Sequence, residues 1–507
     1  MATSLVCESV TGDSMRELLA ARDAATSGDM VELRLDGVAD IDVAAALHGR
    51  SRPVVVTCRA AWEGGRFDGS EEERCTIVSR ALERGAEFVD IEWRALGASG
   101  QSAGGSGQSN LFDAVIRRDP ARVVLSSHDF SGVPHGLDEQ VYAMRATGAG
   151  VVKIAVTPSR LADTLPLIRI GHGGGAVVVG MGEAGVPTRL LATRYLSRWT
   201  YAGDGVAPGQ IPARRMMDEF RFRSVGAHTR LFGLVSRNAM HSVSPAMHNA
   251  AFAAAGIDAV YVPLKAADFD DFLGFAYAMG IEGASITIPF KHDALRAAKR
   301  PDELSRAVGA ANTLRVRAGA WEATNTDVAG FLDPLQAMFP DTLRGARAAV
   351  LGAGGSARAV AAALMSRGVR VTVHARREEQ ARELTKSLGA DTGPWPPRDS
   401  SWDLLVNCTP LGGAGTRHES PLPGGPFGGR LVYDLTYGPG ESALVREARR
   451  AGCLAIDGLP MLIAQAERQF EWWTGKRPAP GVMREAAVRR LQNETGLTGQ
   501  ATEARRR

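Results

Sequence analysis

Lys153 lies inside Gly150-Val-Val-Lys-Ile-Ala-Val156, a β-forming apolar run with one amine at its centre. A charge is costly to bury there unless chemistry requires it. Desolvation favours a neutral amine, and a neutral amine near pH 7 is the nucleophile that forms a Schiff base with a ketone. Val123-Val-Leu-Ser-Ser-His128-Asp-Phe130 is a second apolar run and carries a histidine near its end, so an imine former and a proton carrier can converge. Further along, Lys291 closes Gly283-Ala-Ser-Ile-Thr287-Ile-Pro-Phe-Lys, Asn312 sits in Gly309-Ala-Ala-Asn-Thr313, and Asp327 ends Thr324-Asn-Thr-Asp. A lysine, an amide and a carboxylate after small or apolar segments can hold a polyol. Coupling Lys291 to Asp327 would let a proton leave a hydroxyl as hydride leaves its carbon.

The elements that must position these groups fall into two patterns. In the first 220 residues, strand-like runs near 3–8, 29–35, 53–59, 88–92, 122–127, 151–156, 176–180 and 199–202 alternate with helical stretches such as 15–26, 71–84, 138–147 and 160–170. Eight βα units of this size predict a closed (β/α)8 TIM barrel, with chemistry at the C-terminal strand ends. Glu32 and Arg34 share one side of the second strand, Arg59 ends the third, and His128 follows the fifth. Lys153 lies in the sixth, Arg189 follows the seventh and Gln210 the eighth. Asp90, in Val89-Asp-Ile-Glu92, reads equally well as a neutralising partner and stays outside the catalytic set. Gly97–Ser109 is low-complexity, and Gly171-His-Gly-Gly-Gly175 precedes a strand and reads as a turn.

A short linker near 224–228 leads to a new strand at Arg230. Ser242 and Ser244, one residue apart before a helix, suit a small anion, or Ser244 simply caps the helix with Pro245 in its first turn. His241 and His248 have no third ligand at a sensible spacing, so no metal is expected. The strand 346–351 runs into Gly352-Ala-Gly354-Gly355-Ser-Ala357 and an alanine-rich helix, the setting of a dinucleotide fingerprint. Gly352 would allow the turn, Gly354 the approach of pyrophosphate, and Ala357 the helix packing. After the next strand, Arg376 and Arg377 stand where a carboxylate would select NAD, which points to NADP(H).

Length and charge agree with an enzyme of several domains. The 507 residues exceed one core, and a net charge of +3 with dispersed basic groups argues against nucleic acid. The five cysteines lack disulfide or metal spacing, no apolar run reaches membrane-spanning length, and Met1-Ala-Thr-Ser-Leu-Val lacks a basic leader, so a cytoplasmic protein is expected.

Residues 2 to about 220 resemble a type I 3-dehydroquinate dehydratase through Glu-Leu-Arg-Leu-Asp, Cys-Arg with Glu-Gly-Gly, Ser-His-Asp-Phe, Val-Lys-Ile-Ala, Met-Gly-Glu and Ala-Pro-Gly-Gln. The resemblance implies that Lys153 forms the imine, His128 moves the proton and Glu63 orients it. It also implies that Arg189 clamps the carboxylate, while Glu32, Arg34, Arg59 and Gln210 hold the remaining oxygens. Val206 stands where such proteins often carry serine. Residues 229 to 490 are similar to shikimate dehydrogenases through Ser-x-Ser-Pro, Thr-Ile-Pro-Phe-Lys, Ala-Asn-Thr, Asn-Thr-Asp, Gly-Ala-Gly-Gly, Asn407-Cys-Thr-Pro-Leu411 and the segment 457–466. This implies that Ser242, Ser244 and Tyr437 contact a carboxylate, that Thr287, Asn312, Asp327 and Gln465 hold hydroxyls, and that Lys291 and Asp327 are the catalytic pair. Thr409 and Gly458 would lie near nicotinamide, Ser356 and Arg376 near phosphates. Val328 follows Asp327 where relatives often place glycine, and a local backbone change is expected.

Together the halves resemble the fused dehydratase/dehydrogenase. The expected layout is a barrel over 1–222, a substrate domain over 229–335 completed by 461–490, a Rossmann NADP-binding domain over 336–460 and a polar tail over 491–507. The substrates implied are 3-dehydroquinate, 3-dehydroshikimate and shikimate, the first product being the second substrate. Quinate oxidation and a non-catalytic quinate-pathway regulator remain alternatives, and oligomeric state is not set by the sequence.

Overall fold

The computed structural model describes residues 4–97, 111–206, 208–338, 343–398, 402–413 and 415–504. Most of the Gly97–Ser109 segment lies outside them. By contacts the chain divides into two compact units, Met1–Thr229 with Val262–Met279, and Arg230–Tyr261 with Gly280–Arg507.

In the first unit, β1 (Leu5–Val10), β2 (Met30–Arg34), β3 (Val54–Thr57), β4 (Phe88–Glu92), β5 (Val123–Asp129), β6 (Val151–Val156), β7 (Ala176–Gly180) and β8 (Trp199–Ala202) form one parallel sheet in the order β7-β6-β5-β4-β3-β2-β1-β8. The ends approach through Arg198 N–H donating to the Ala176 carbonyl at 2.9 Å, leaving a nearly closed barrel. Strands rich in valine suit a sheet buried on both faces. Val151 and Ala155 join Val124, Val177 and Tyr201 in the interior, so the two-residue period turns Lys153 inward as well. The helix Glu71–Glu83 starts at a Ser70–Glu73 capping box.

One expected helix is broken. Instead of running over 160–170, the chain makes a 3-10 turn at Ala162–Thr164 and a helix over Pro166–His172, because Pro166 offers no N–H to a preceding turn and suits a helix start. Gly174 and Gly175 both have positive φ, as a turn before β7 requires.

Beyond the barrel strands the chain forms two further sheets. β9 (Arg230–Ser236), β10 (Ala259–Lys265), β11 (Ile281–Ile286), β12 (Arg300–Pro301), β13 (Thr313–Arg317) and β14 (Ala320–Thr324) are ordered β10-β9-β11-β13-β14-β12. β15 (Arg347–Leu351), β16 (Arg370–His374), β17 (Asp391–Gly393), β18 (Leu404–Asn407), β19 (Leu431–Asp434) and β20 (Leu454–Ile456) form a parallel sheet ordered β17-β16-β15-β18-β19-β20, the doubly wound Rossmann arrangement. The helix Leu459–Thr474 returns to the first of these sheets, where Phe470 and Trp473 pack with Phe232 and Phe252. The segment from 491, expected as a polar tail, instead continues the helix Val482–Ala504, with Leu491 buried in that same core. Among the described residues no helix is long and apolar enough to cross a membrane.

Candidate functional site

Parallel pairing sets the barrel groups side by side: Thr57 faces Asp90, Ser126 faces Lys153, and His128 faces Ala155. A cavity of about 110 Å³ is lined by Glu32, Arg34, Arg59, Glu63, His128, Lys153, Arg189 and Tyr201. Lys153 Nζ lies 3.0 Å from Asp90 Oδ2, 3.5 Å from Glu32 Oε1 and 4.3 Å from the centre of the Tyr201 ring. Burial alone would raise the Glu32 carboxyl, but Lys153 and Arg34 outweigh it and hold it below its usual value. Asp90 behaves alike: Arg59 and Lys153 overcome its burial and keep it ionised.

The lysine is therefore not an isolated amine. Asp90, which sequence reasoning set aside, is its nearest charged partner. The alternation in Val89-Asp-Ile-Glu92, the same as that of Glu32 and Arg34, was the available signal.

His128 is placed at the rim. Its backbone N–H donates to Glu63 Oε1 at 2.9 Å, and its Nδ1 stands 3.4 Å from the same oxygen. Burial pushes the imidazole well below its ordinary value, and the Arg59 and Lys153 cations push it further. Burial also raises Glu63, against the His128 N–H and Arg59. Arg189 donates to the carbonyls of Tyr201 at 3.1 Å and Pro208 at 3.3 Å, and burial lowers its guanidinium to about 10. Arg34 is engaged by Asp36 through two bonds of 2.8 and 2.9 Å. Gln210 Nε2 donates to Ser9 Oγ at 3.3 Å, and that hydroxyl donates to Glu32 at 2.7 Å. Val206 lines the cavity with an apolar surface.

The second unit has a cleft of about 710 Å³ lined by Ser242, Ser244, Thr287, Lys291, Asn312, Asp327, Ser356, Tyr437, Gly458 and Gln465. Lys291 and Asp327 each open a helix, Lys291–Ala297 and Asp327–Met338, and Lys291 Nζ meets Asp327 Oδ2 at 2.6 Å. Asn312 Nδ2 donates to Asp327 Oδ1 at 2.7 Å and lies 3.4 Å from Gln465 Oε1. Ser244 does not cap its helix. Ser242 Oγ instead accepts from Ser244 N–H at 3.1 Å, which turns both residues into the cleft. Gln469, another lining residue that the sequence reading missed, accepts from Ser285 Oγ at 2.7 Å. Val328 is accommodated within a regular helix, and Gly330 lets that helix approach Gln465 closely.

The dinucleotide loop has the required shape. Gly352 has φ +101°, Gly354 is the N-cap of the helix Gly355–Ser366, none of the described residues stands near the position of a Gly354 side chain, and Ala357 is fully buried. Gly355 passes against the Lys291 stem. A side chain at Gly458 would collide with the Leu435 carbonyl. Beside Gly354, a recess of about 540 Å³ is lined by Arg296, Arg358 and Arg377. Arg377, more than Arg376, faces it; both are exposed. Thr409 folds back on Asn407, its hydroxyl donating at 2.7 Å, and lies off the cleft wall that Pro410 and Gly413 form.

A family profile described as Type I 3-dehydroquinase matches residues 6–226, one described as Shikimate dehydrogenase substrate binding domain matches 234–314, and one described as Shikimate 5'-dehydrogenase C-terminal domain matches 458–488. The chain is 30% identical over 514 aligned residues to the bifunctional 3-dehydroquinate dehydratase/shikimate dehydrogenase, chloroplastic, of Arabidopsis thaliana, covering 94% of this chain and 83% of the relative. The chain belongs to the bifunctional 3-dehydroquinate dehydratase/shikimate dehydrogenase family. Its dehydrogenase half is also 40% identical to the shikimate dehydrogenase (NADP(+)) of Anaeromyxobacter dehalogenans (strain 2CP-1 / ATCC BAA-258), over 50% of this chain and 94% of that one. It is 39% identical to that of Salinibacter ruber (strain DSM 13855 / M31), over 49% and 94% respectively. The two buried lysine–carboxylate sites thus fall one in each half of a bifunctional family member.

Proposed function

We propose that the barrel dehydrates 3-dehydroquinate to 3-dehydroshikimate and that the second unit reduces this product to shikimate with NADPH. Lys153 Nζ attacks the ketone, losing water to give an iminium that makes the adjacent C–H acidic. His128, held neutral by burial and its cationic neighbours, accepts that proton and returns it to the departing hydroxyl, which leaves as a second water. Hydrolysis of the conjugated iminium frees Lys153. Asp90 and Glu32 balance the lysine charge, Glu63 aims the imidazole, and Arg189 supplies a guanidinium for the substrate carboxylate.

In the second site the glycine loop and the arginine-lined recess fit NADPH, whose nicotinamide supplies hydride when bound. Lys291 delivers a proton to the carbonyl oxygen, and Asp327 holds the lysine while Asn312 holds the aspartate. Ser242 and Ser244 suit the substrate carboxylate, and Thr287 and Gln465 its hydroxyls. All five cysteines are free thiols, which supports a reducing setting such as the cytoplasm.

The observation that carries this reading is Lys153 Nζ at 3.0 Å from Asp90 inside a cavity that His128 also lines. Borohydride reduction during turnover of 3-dehydroquinate, followed by peptide mass analysis, should leave a stable adduct on Lys153 that Lys153→Ala lacks. NADPH oxidation should follow on adding 3-dehydroshikimate. An adduct elsewhere, or none, removes the dehydratase reading, and equal rates with quinate would redirect the second.

A further inference from the structure

Behind the dehydratase cavity, a line of charges runs from the imine lysine into the helix layer. Lys153 pairs with Asp90 Oδ2 at 3.0 Å, and Asp90 Oδ1 takes Arg59 Nη2 at 2.9 Å and Ser126 Oγ at 2.6 Å. Arg59 Nη1 reaches Glu92 Oε1 at 3.1 Å, and Glu92 Oε2 is bound by Arg74. Arg74 is 0% exposed, as is Glu92, so neither group exchanges its partner for water. Arg74 sits on the helix Glu71–Glu83, outside the cavity lining, between the ring of Phe112 at 4.6 Å and that of Trp62 at 5.7 Å.

We propose that Arg74 is a positioning residue of the dehydratase site, acting through Glu92 and Arg59 on Asp90 and Lys153. This inference rests on the Schiff-base reading of Lys153. A buried cation is costly, and a helix-layer position could be filled by an apolar residue, yet here it is Arg74, with Glu71 on its own helix and Glu92 from β4 as its counter-charges. It holds one oxygen of Glu92, leaving the other for Arg59. Without Arg74, Arg59 is the one cation left paired with Glu92 among the described residues, so Arg59 is drawn from Asp90 and its charge is more fully cancelled. His128 is faced by Glu63, Arg59, Lys153, Asp90 and Arg34, and Arg59 is the strongest of the charges that keep it unprotonated. Weakening Arg59 lets His128 keep its proton to higher pH.

The test compares full-length wild type, Arg74→Met, Arg74→Lys, Glu92→Gln and the double variant Arg74→Met/Glu92→Gln. We expect Arg74→Met to move the acid limb of the dehydratase kcat/KM profile up by about one pH unit, which lowers kcat/KM by about tenfold at pH values below that limb. Arg74→Lys should restore much of the rate, and removing the Glu92 charge in the double variant should restore the limb. Shikimate dehydrogenation by the same preparations reports that the chain is folded. An unmoved pH profile with only a lower melting temperature overturns the proposal. If Arg74→Met does not fold, the Glu92→Gln profile decides it, since a relay requires that limb to move in the opposite direction. Wild-type turnover without a Lys153 adduct would instead remove the underlying reading.

Discussion

Lys291 Nζ and Asp327 Oδ2 stand 2.6 Å apart, each on the first residue of its own helix, and each side chain is less than a tenth exposed. The dipole favours a carboxylate at a helix start, and Asp327 there lies against the Lys291 side chain. Lys291→Ala should lower shikimate dehydrogenation by about 10²–10⁴-fold while leaving dehydration intact. Assaying both reactions on one preparation checks this, and parallel loss of both would mean misfolding.

Asp90→Asn keeps the shape beside Lys153 but removes a charge shared with Arg59. Breaking one member of a buried ion network leaves its partners uncompensated. Dehydratase turnover should fall, by about 100-fold, and the borohydride adduct on Lys153 should form more slowly. Adduct yield against time of quenching provides the measurement.

Among the described residues, Arg189 bonds the carbonyls of Tyr201 and Pro208 rather than a carboxylate, and its Nε is buried with no hydrogen-bond partner. In the proposed reaction that guanidinium would meet the substrate carboxylate. Arg189→Met should raise KM for 3-dehydroquinate by about 100-fold with a smaller change in kcat, and Arg189→Lys should recover only part because the bidentate fork is lost. Initial-rate analysis of the dehydratase separates the two constants.

His248 is buried between Tyr261, 4.5 Å between ring centres, and Trp473 at 5.1 Å. Burial lowers its imidazole to about 3, partly opposed by Gln469. The unfolded chain takes up this proton near pH 6.5 and the folded one does not, so stability is full above that pH and falls as pH drops toward 3. His248→Phe should lose less stability than wild type across this window. Urea midpoints measured from pH 7 to 4 test the sign.

Much of the architecture was legible because short-range patterns carried it. The eight strands of the barrel fall within a few residues of the valine-rich runs, and Gly352 takes the positive φ that a tight strand-to-helix turn demands. Lys153 stood out because a strand that is otherwise apolar has little structural use for an amine, and His128 because it lies near the end of a strand that opens Val-Val-Leu. Asp90 was harder. A carboxylate at a strand end reads alike whether it meets solvent or a lysine 63 positions away.

The sequence alone determined the two α/β halves, the shared side of Glu32 and Arg34 on the second barrel strand, and the lysines and glycines singled out for chemistry, since these follow from periodicity and from the cost of burying charge. Only tertiary structure decided which groups touch. It paired Lys153 with Asp90, turned Ser242 toward Ser244, set Arg377 ahead of Arg376 at the basic recess, broke the helix at Pro166 and carried the C-terminal helix to Ala504. Contacts between charges depend on distances that chain folding closes across tens of residues, and no local pattern encodes those distances.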